Sequence, residues 1–537
     1  MLTSKNNLDM KTKHILIVLV MSIFWSCESL DTPLLDKESD ISFWDKPSDA
    51  LYALNSCYPD LYGAEQFIFT ESLSDNSYTK SNNGSLVRDV ANGSYDASAS
   101  LMRDVWTARY AGIKRCNILL GNIDKVSDLS SELKNRYIAE ARAIRAYHYF
   151  ILMNNFGDVP LVKSEISIEE SKTIARSPKA EVLQFILDEL DFAKILPNSY
   201  PDTDKGRFTK GAAMALKARV LLCENRWREV AEICDAIINK QEAGNIDLFG
   251  NYADLFKPEN KNNIEVLLNV EFMPINREQG IQYFLIPPTL GGYAGISPSQ
   301  ELVDSYLLLN GKTIADASYN ELTPYENRDP RLDATVIRHG STLENANGGF
   351  TTINTALGTG DDSINNSSNC TPTGYYVSKF YDKTARNMTN SGSNLILIRY
   401  ADVLLMYAEA KANLNEFSET EWNLTIKKLR TRAGFTNANA LNYQAVGTEQ
   451  MIDIIRRERR SELAMEGLRL MDLRRWKTAE VALNGWLHGM KTDEAPSIDK
   501  GYIRVDNRIF DKTKHYLWPI PQSERDLNNN LSQNPNW

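Results

Sequence analysis

Cys27 is the residue whose chemistry the sequence predicts most directly. It follows a basic start at Lys11–His14, a short apolar run at Ile15–Phe24 and the small residue Ser26. This order is typical of a bacterial lipoprotein signal, in which residues 1–26 are removed and the cysteine thiol is acylated. The run is shorter than the roughly twenty apolar residues that a membrane-spanning helix needs. An ordinary secretory signal cleaved nearby, with an incidental Cys27, is the alternative.

Three glutamates near the C-terminus are the first candidates for acid–base chemistry. Glu458, Glu462 and Glu466 recur at four-residue spacing, which places them on one face of a helix predicted over Ile454–Trp476. Arginines are interleaved with them: Arg459, Arg469 and Arg474. Neighbouring guanidinium groups hold carboxylates in the ionised form, which does not suit a proton donor. We therefore expect a structural network of ion pairs here rather than a catalytic pair.

Motifs of metal-dependent or nucleophilic enzymes are absent from the sequence. It contains no HExxH zinc motif and no GxSxG nucleophile elbow. The turn Asp202–Gly206 resembles the start of a calcium loop, but Ala213 stands where such a loop needs a glutamate. We expect no catalytic residue, metal or cofactor, although two glycosidase carboxylates among the 70 acidic residues would carry no motif.

Two tyrosine-rich stretches, Phe69–Ser98 and Gln282–Ser299, contain the residue types that bind sugars. A sugar ring offers an apolar face and a rim of hydroxyls, so its site combines exposed aromatic rings with polar side chains. The candidates are Tyr78, Tyr95, Tyr283 and Tyr293 as platforms, with Asp75 and Asn76 as polar partners. Packing of each tyrosine in the core is the alternative. Trp106, within a helical pattern, is expected to be structural.

The composition is that of a globular protein with an acidic balance. Of the 537 residues, 42% are apolar and 24% are charged, which is ordinary for a globular chain. The formal net charge of −10 disfavours nucleic acid as a partner, because phosphates need a basic surface. The cysteines after Cys27 show no CxxC spacing, so we do not expect a disulfide framework.

Helical periodicity dominates much of the chain. Apolar residues recur at three- and four-residue spacing over Leu101–Asn122 and Ser131–Asn155, which predicts two helices. Gly206–Lys240 reads as two helices, from about Thr209 and from about Trp227, and Arg399–Gly434 repeats that pattern. Such hairpins favour tetratricopeptide-like pairs that stack side by side.

A segment of different composition separates these hairpins. Residues 246–394 are rich in Gly, Asn, Thr and Pro and contain few long periodic runs. Three short pieces are predicted as strands: Asn263–Val270, Gln282–Ile286 and Thr335–Arg338. A long irregular segment within a helical array is where ligand-binding loops usually lie.

Several motifs, taken together, resemble the SusD/RagB family of Bacteroidetes outer-membrane lipoproteins. The best match is IIRRERRSELAMEGLRLMDLRRW, Ile454–Trp476, which is similar to a late helix of the family. Leu397–Leu414 resembles the last tetratricopeptide hairpin, and Ala139–Val162 resembles an early helix with its following turn. Asn327–Leu332 and the closing Trp518–Pro535 also fit, and all these matches occur in the expected order.

This resemblance implies a mainly α, SusD-like fold in a single domain over residues 43–537, tethered by residues 27–42. About four tetratricopeptide-like pairs would pack against an irregular part with short strands, with ligand loops within 69–98 and 246–394. It further implies a non-enzymatic, surface-exposed outer-membrane lipoprotein. Such a protein binds nutrients, most often glycans, and delivers them to a SusC-type TonB-dependent transporter.

Two other functions remain open from the sequence. One keeps the fold and replaces the glycan with an oligopeptide, for which a polar cleft without stacked aromatic rings would be typical. The other is a tetratricopeptide-type scaffold that binds only proteins. The sequence does not name the ligand, because surfaces that stack sugar rings accept many of them.

Overall fold

The computed structural model describes residues 43–80, 87–358, 360–492 and 498–537. The predicted signal peptide, Cys27 and the tether at residues 27–42 lie outside these ranges. The α-helices of these residues are α1 (Pro47–Cys57), α2 (Ala64–Glu71), α3 (Val87–Asn92), α4 (Ser100–Asn122), α5 (Ser131–Phe156), α6 (Ile168–Ser171), α7 (Lys179–Phe192), α8 (Lys210–Cys223), α9 (Trp227–Ile238), α10 (Gln300–Ser305), α11 (Arg331–Thr335), α12 (Tyr400–Asn413), α13 (Glu419–Leu424), α14 (Ile426–Ala433), α15 (Ala438–Leu441), α16 (Thr448–Glu462), α17 (Arg469–Arg475), α18 (Ala479–Ala482) and α19 (Gln522–Leu527).

Short 3₁₀ helices and short strands make up the rest of the regular structure. The 3₁₀ helices are Tyr58–Asp60, Ile123–Lys125, Ala193–Ile195, Asp202–Asp204, Pro258–Asn260, Ile281–Phe284, Pro288–Leu290 and Ile498–Gly501. The strands are β1 (Ser77–Thr79), β2 (Val266–Val270), β3 (Ile296–Pro298), β4 (Val336–Ile337), β5 (Thr342–Glu344), β6 (Phe350–Thr352), β7 (Tyr376–Val377), β8 (Leu395–Arg399), β9 (Gly485–Lys491) and β10 (Tyr502–Arg508). They form five antiparallel two-stranded sheets within the described residues, pairing β1 with β3, β2 with β8, β4 with β7, β5 with β6 and β9 with β10.

The long helices stack as the periodicity predicted. Helix α4 packs on α5, α5 on α7, α8 on α9, α9 on α12, and α12 on α16. Helix α5 begins where the Ser130 hydroxyl accepts a hydrogen bond from the Leu133 amide, and it ends at Gly157, whose φ is 73°. Side chains on several faces of α5 are buried because it is covered on two sides. The predicted mainly helical architecture is thus confirmed.

Small side chains let the helices of this stack approach closely. In α12 four alanines are buried almost completely: Ala401, Ala408, Ala410 and Ala412. In α8 the same holds for Ala213, Ala215 and Ala218. Each alanine has only a methyl group as its side chain, so the helix axes come close together. The facing side chains can then pack at interior density.

The predicted helix over Ile454–Trp476 is wrong as a continuous element. Helix α16 ends at Glu462, and α17 begins only at Arg469. Between them Met465 and Gly467 take left-handed backbone angles, with φ of 64° and 74°. The amides of these two residues donate to the carboxylate of Glu71, at 3.2 and 2.8 Å. A buried acceptor on α2 therefore takes amide hydrogen bonds from the segment where the helix breaks.

Two of the three predicted strand pieces are confirmed. Asn263–Val270 contains β2, and Thr335–Arg338 contains β4, but Gln282–Ile286 coincides mostly with the 3₁₀ helix Ile281–Phe284. The Gln279 side chain accepts a hydrogen bond from the Ile281 amide at 2.8 Å, at the start of that turn. This local side-chain bond favours a turn over an extended strand at this point.

One extensive apolar core joins the helical stack to the irregular part. Its buried side chains extend along the chain from Cys57 to Leu531. No helix among the described residues is long and apolar enough to cross a bilayer. Because both parts share this core, the loops of residues 246–394 are anchored on the helical support.

Candidate functional site

Tyr283 and Tyr293, both predicted as platforms, lie side by side in the irregular part. The chain turns back on itself between them, so that the Tyr293 amide donates to the Tyr283 carbonyl at 2.6 Å. Their rings are nearly parallel, with centroids 5.7 Å apart and planes inclined by 13°. Both side chains are half-buried. The structure thus brings together two of the four predicted aromatic residues as an offset stack.

Glycines make the turn between these rings possible. Gly291 has a φ of 88°, in the region that residues with a Cβ rarely adopt. A Cβ on Gly292 would lie 2.0 Å from the Ile286 carbonyl oxygen. There is no room for a side chain at Gly292, so the turn that brings the two tyrosines together requires glycine.

Lys80 lies over the Tyr293 ring, and the sequence analysis missed it. Its ammonium is 4.5 Å from the ring centroid, at cation–π distance. The same ammonium donates to the carbonyls of Ser368 and Cys370, at 2.5 and 3.0 Å. Burial lowers the pKa of Lys80 to about 8. Lys80 therefore remains mostly protonated at neutral pH, as a half-buried cation beside the paired rings.

Strand pairing explains how Lys80 reaches Tyr293. Strand β1 pairs with β3 in antiparallel register, with Tyr78 opposite Ser297. The Lys80 amide continues that pairing with a bond to the Gly295 carbonyl at 3.3 Å. Lys80 lies inside the predicted stretch Phe69–Ser98, but only this long-range pairing identifies it as a neighbour of the tyrosines.

Asp75 and Asn76 lie in the interior and not beside the paired rings. The Asp75 carboxylate accepts from Arg469 at 2.8 Å and forms an ion pair with Arg460 at 3.0 Å. Burial alone would raise the pKa of Asp75, but these two guanidinium groups hold it well below its usual range. The Asn76 amide donates to Glu71 at 2.5 Å and accepts from Arg460 at 2.8 Å. Both side chains already have protein partners in this conformation.

The other two predicted tyrosines have protein neighbours of their own. Tyr78 is only 9% exposed, within β1. Tyr95 stacks on His515, with centroids 5.1 Å apart, and contacts Trp537 in a tilted arrangement at 4.9 Å. Trp106 is buried and meets Phe156 edge-on at 5.2 Å, which agrees with the structural role predicted for it. Core packing, the alternative weighed for each tyrosine, describes the surroundings of Tyr78 and Tyr95 in this structure.

The three glutamates form the predicted ion-pair network, but with arginines from other elements. Glu462 accepts from Arg399 at 2.6 Å and from Arg331 at 2.9 Å. Burial would raise the pKa of Glu462, yet Arg432, Arg399 and Arg331 hold it far below its usual range. Glu458 and Glu466 behave alike, since the pKa of each is lowered by buried cations that offset its desolvation. These carboxylates stay ionised, so none of them is a proton donor at neutral pH.

Metal binding finds no support among the described residues. They contain no cluster of three or more His, Cys, Asp or Glu side chains with the geometry to hold a cation. In the turn that resembled a calcium loop, Asp204 pairs with Arg136 at 3.0 Å and with Arg207 at 2.9 Å. That acidic group is already neutralised by arginines.

Two family models match the chain. Residues 259–537 match the model described as "SusD family". Residues 34–222 match the model described as "Starch-binding associating with outer membrane". Proteins of the SusD family are binding proteins and not enzymes.

Relatives and solved structures agree with these matches. A SusD-like protein of Formosa agariphila is 26% identical over 448 residues, which cover 79% of this chain and 77% of that protein. A SusD-like protein of Bacteroides ovatus is 27% identical, covering 76% and 72% of the two chains. The crystal structure of a SusD-like carbohydrate binding protein from Bacteroides fragilis has a TM-score of 0.83 at 28% identity, covering 91% of this chain and 100% of that one. Since the first model spans more than half of its length, the chain belongs to the SusD family.

Proposed function

We propose that this chain captures glycan oligomers without cleaving them and delivers them to a SusC-type TonB-dependent transporter. It acts at the cell surface, anchored in the outer membrane by a lipid on Cys27. Residues 69–98 and 246–394 supply the ligand loops, and residues 27–42 connect the lipid to the domain. The match to a family described as associating with the outer membrane supports this location.

The observation that carries the proposal is the stacked pair Tyr283 and Tyr293. The two half-buried rings present a combined aromatic surface on an irregular segment, which is the arrangement that sugar rings stack on. Neither phenolic oxygen forms a hydrogen bond with another described residue. The phenols can therefore bond to the hydroxyl rim of a sugar while the rings contact its apolar face.

Rigidity of this segment supports binding to a preformed surface. The turn at Gly291 and Gly292 fixes the separation of the two rings, so a ligand does not have to order them. The likeness to a carbohydrate binding protein of the same fold from Bacteroides fragilis supports a glycan as the ligand.

The first test is a binding screen of the purified protein and its tyrosine variants. Wild type is titrated by calorimetry against a panel of plant, algal and fungal polysaccharides and peptide mixtures. We expect one glycan class to bind, and Tyr283→Ala or Tyr293→Ala to weaken that binding about tenfold, since a stacked ring contributes roughly 1 kcal/mol or more. The control is Tyr52→Ala, which removes a tyrosine that is 59% exposed on α1.

Each other result has a defined meaning. Glycan binding that neither variant weakens would keep the function and exclude the paired tyrosines as its site. Binding of peptides alone would favour the oligopeptide-binding alternative. No binding of any oligomer, with a TonB-dependent transporter still co-purifying from the native membrane, would favour a protein-interaction scaffold.

A further inference from the structure

Lys80 is a half-buried cation that lacks a carboxylate partner among the described residues. Its hydrogen bonds go to two neutral backbone carbonyls, those of Ser368 and Cys370. By contrast, the buried Lys379 pairs with Glu466 at 2.7 Å. Lys383, which also lies in the irregular part, pairs with Glu344. At Lys80 the local positive charge is therefore not neutralised within the described protein.

The lowered pKa of Lys80 indicates that this position is unfavourable for the charged form of the side chain. Burial removes water from the ammonium, and this lowers the pKa of Lys80 to about 8. Partial desolvation of an unpaired charge opposes folding, so the position is unfavourable for stability alone. A ligand of opposite charge at the same position would restore the missing interaction.

The placement of Lys80 fits a ligand at the paired rings. Its ammonium has three donors, and two of them are taken by the carbonyls of Ser368 and Cys370. The group lies over the Tyr293 ring, 4.5 Å from its centroid, so a sugar that stacks on the neighbouring Tyr283 ring would lie beside it. An acidic substituent of that sugar can reach the remaining donor while the ring keeps its aromatic contact.

We infer that the glycan bound at Tyr283 and Tyr293 is anionic and that Lys80 binds its carboxylate or sulfate group. This inference rests on the proposed function, whose site it shares. The chain as a whole carries a net charge of −10, so long-range attraction does not favour a polyanion. A local cation at the site is then what selects an acidic sugar over a neutral one.

The test compares acidic glycans with their neutral counterparts. Oligogalacturonate and the same oligomer with its carboxylates methyl-esterified differ in charge but share the sugar ring. Oligosaccharides of carrageenan carry sulfate instead and distinguish the two acidic groups. We expect the full-length protein to bind one of the two acidic probes at least about tenfold more tightly than a neutral probe, as expected for a charge-assisted hydrogen bond.

Variants at Lys80 identify the cation responsible. Lys80→Gln should weaken binding of the acidic probe about tenfold and leave any binding of neutral probes unchanged, whereas Lys80→Arg should keep most of the affinity. Raising the salt concentration should weaken acidic binding to wild type and have little effect on the Gln variant. The matched control is Lys383→Gln, which removes the same charge from a lysine already neutralised by Glu344. Circular dichroism and melting curves verify that each variant is folded.

The outcomes separate this inference from the proposed function. Binding of neutral glycans with equal or greater affinity, or acidic binding that Lys80→Gln does not weaken, would overturn the inference and leave glycan capture intact. Failure of every glycan to bind would overturn the proposed function itself. Loss of binding in both Lys80→Gln and Lys80→Arg, with neutral probes equally affected, would assign Lys80 a structural role in holding the loop at Ser368–Cys370.

Discussion

The partners of a charged side chain, and not its type, decide whether it serves the site or the fold. Asp75 and Lys80 lie in the same predicted stretch, five positions apart. Asp75 forms ion pairs with two guanidinium groups, so its charge is neutralised inside the protein. Among the described residues Lys80 donates hydrogen bonds to two carbonyl oxygens and pairs with no carboxylate, so its charge remains available. The same comparison distinguishes Glu462, which is surrounded by arginines, from a catalytic acid.

Removal of the Glu462 charge should destabilise the protein strongly at neutral pH. Glu462→Gln leaves Arg399, Arg331 and Arg432 with less negative charge in a fully buried location. We expect the free energy of unfolding, measured in urea at pH 7, to fall by about 3 kcal/mol, the usual cost of breaking a buried ion pair. The control is Glu232→Gln, an exposed glutamate on α9, which should cost little.

The difference in unfolding free energy between wild type and Glu462→Gln should depend on pH. The pKa of Glu462 is depressed in the folded protein, so its stabilisation is present above the unfolded pKa of about 4.3 and is lost as pH falls toward the folded value. Glutamine does not titrate, so wild type should lose more stability than the variant below that pH. We expect the difference in unfolding free energy between them to narrow from pH 5 to pH 3. A difference that stays constant over this range would contradict the assignment.

At the scale of elements, the sequence predicted the helices whose position depends on nearby residues. The positions of α4, α5, α8 and α9 were predicted from apolar spacing, and the structure confirms them to within about two residues. The break after Glu462 was not predictable, because it depends on the carboxylate of Glu71 almost four hundred positions earlier. Tyr283 and Tyr293 were found because they share one stretch. Lys80 was missed because β1 meets β3 only in the folded chain.

The close packing of α12 makes a prediction of its own. Ala408 is fully buried where this helix is covered on nearly every side. Ala408→Leu adds bulk without relieving any cavity, so we expect it to destabilise the protein by about 1–3 kcal/mol in thermal or urea unfolding. Ala111→Leu is the matched change on an exposed face of α4 and should be nearly neutral. Equal effects of the two substitutions would show that the helical stack is loosely packed at α12.

At the scale of the whole molecule, the fold separates support from recognition. The ion-pair network joins buried carboxylates to cations from several elements, so it stabilises the helical support and offers no free charge to a ligand. The irregular part rests on the same core and carries the half-buried tyrosine pair and the loop at Ser368–Cys370, and β1 brings Lys80 to them. This division suits the glycan capture that we propose, because a preformed site loses less entropy on binding.

The anchor that we propose at Cys27 should be separable from ligand binding. In this proposal membrane attachment depends on acylation of that thiol. In a Bacteroidetes host, Cys27→Ser should therefore abolish incorporation of labelled fatty acid and move the protein from the outer-membrane fraction to the soluble fraction. Its affinity for the glycan identified in the screen should equal that of wild type, because the tyrosine pair lies in the folded domain.

Ser26→Ala, which keeps a small residue before the cysteine, is the control and should stay membrane-bound. Retention of Cys27→Ser in the membrane would show that the anchor lies elsewhere, and uptake of glycan by cells carrying the soluble variant would show that anchoring is not needed for delivery.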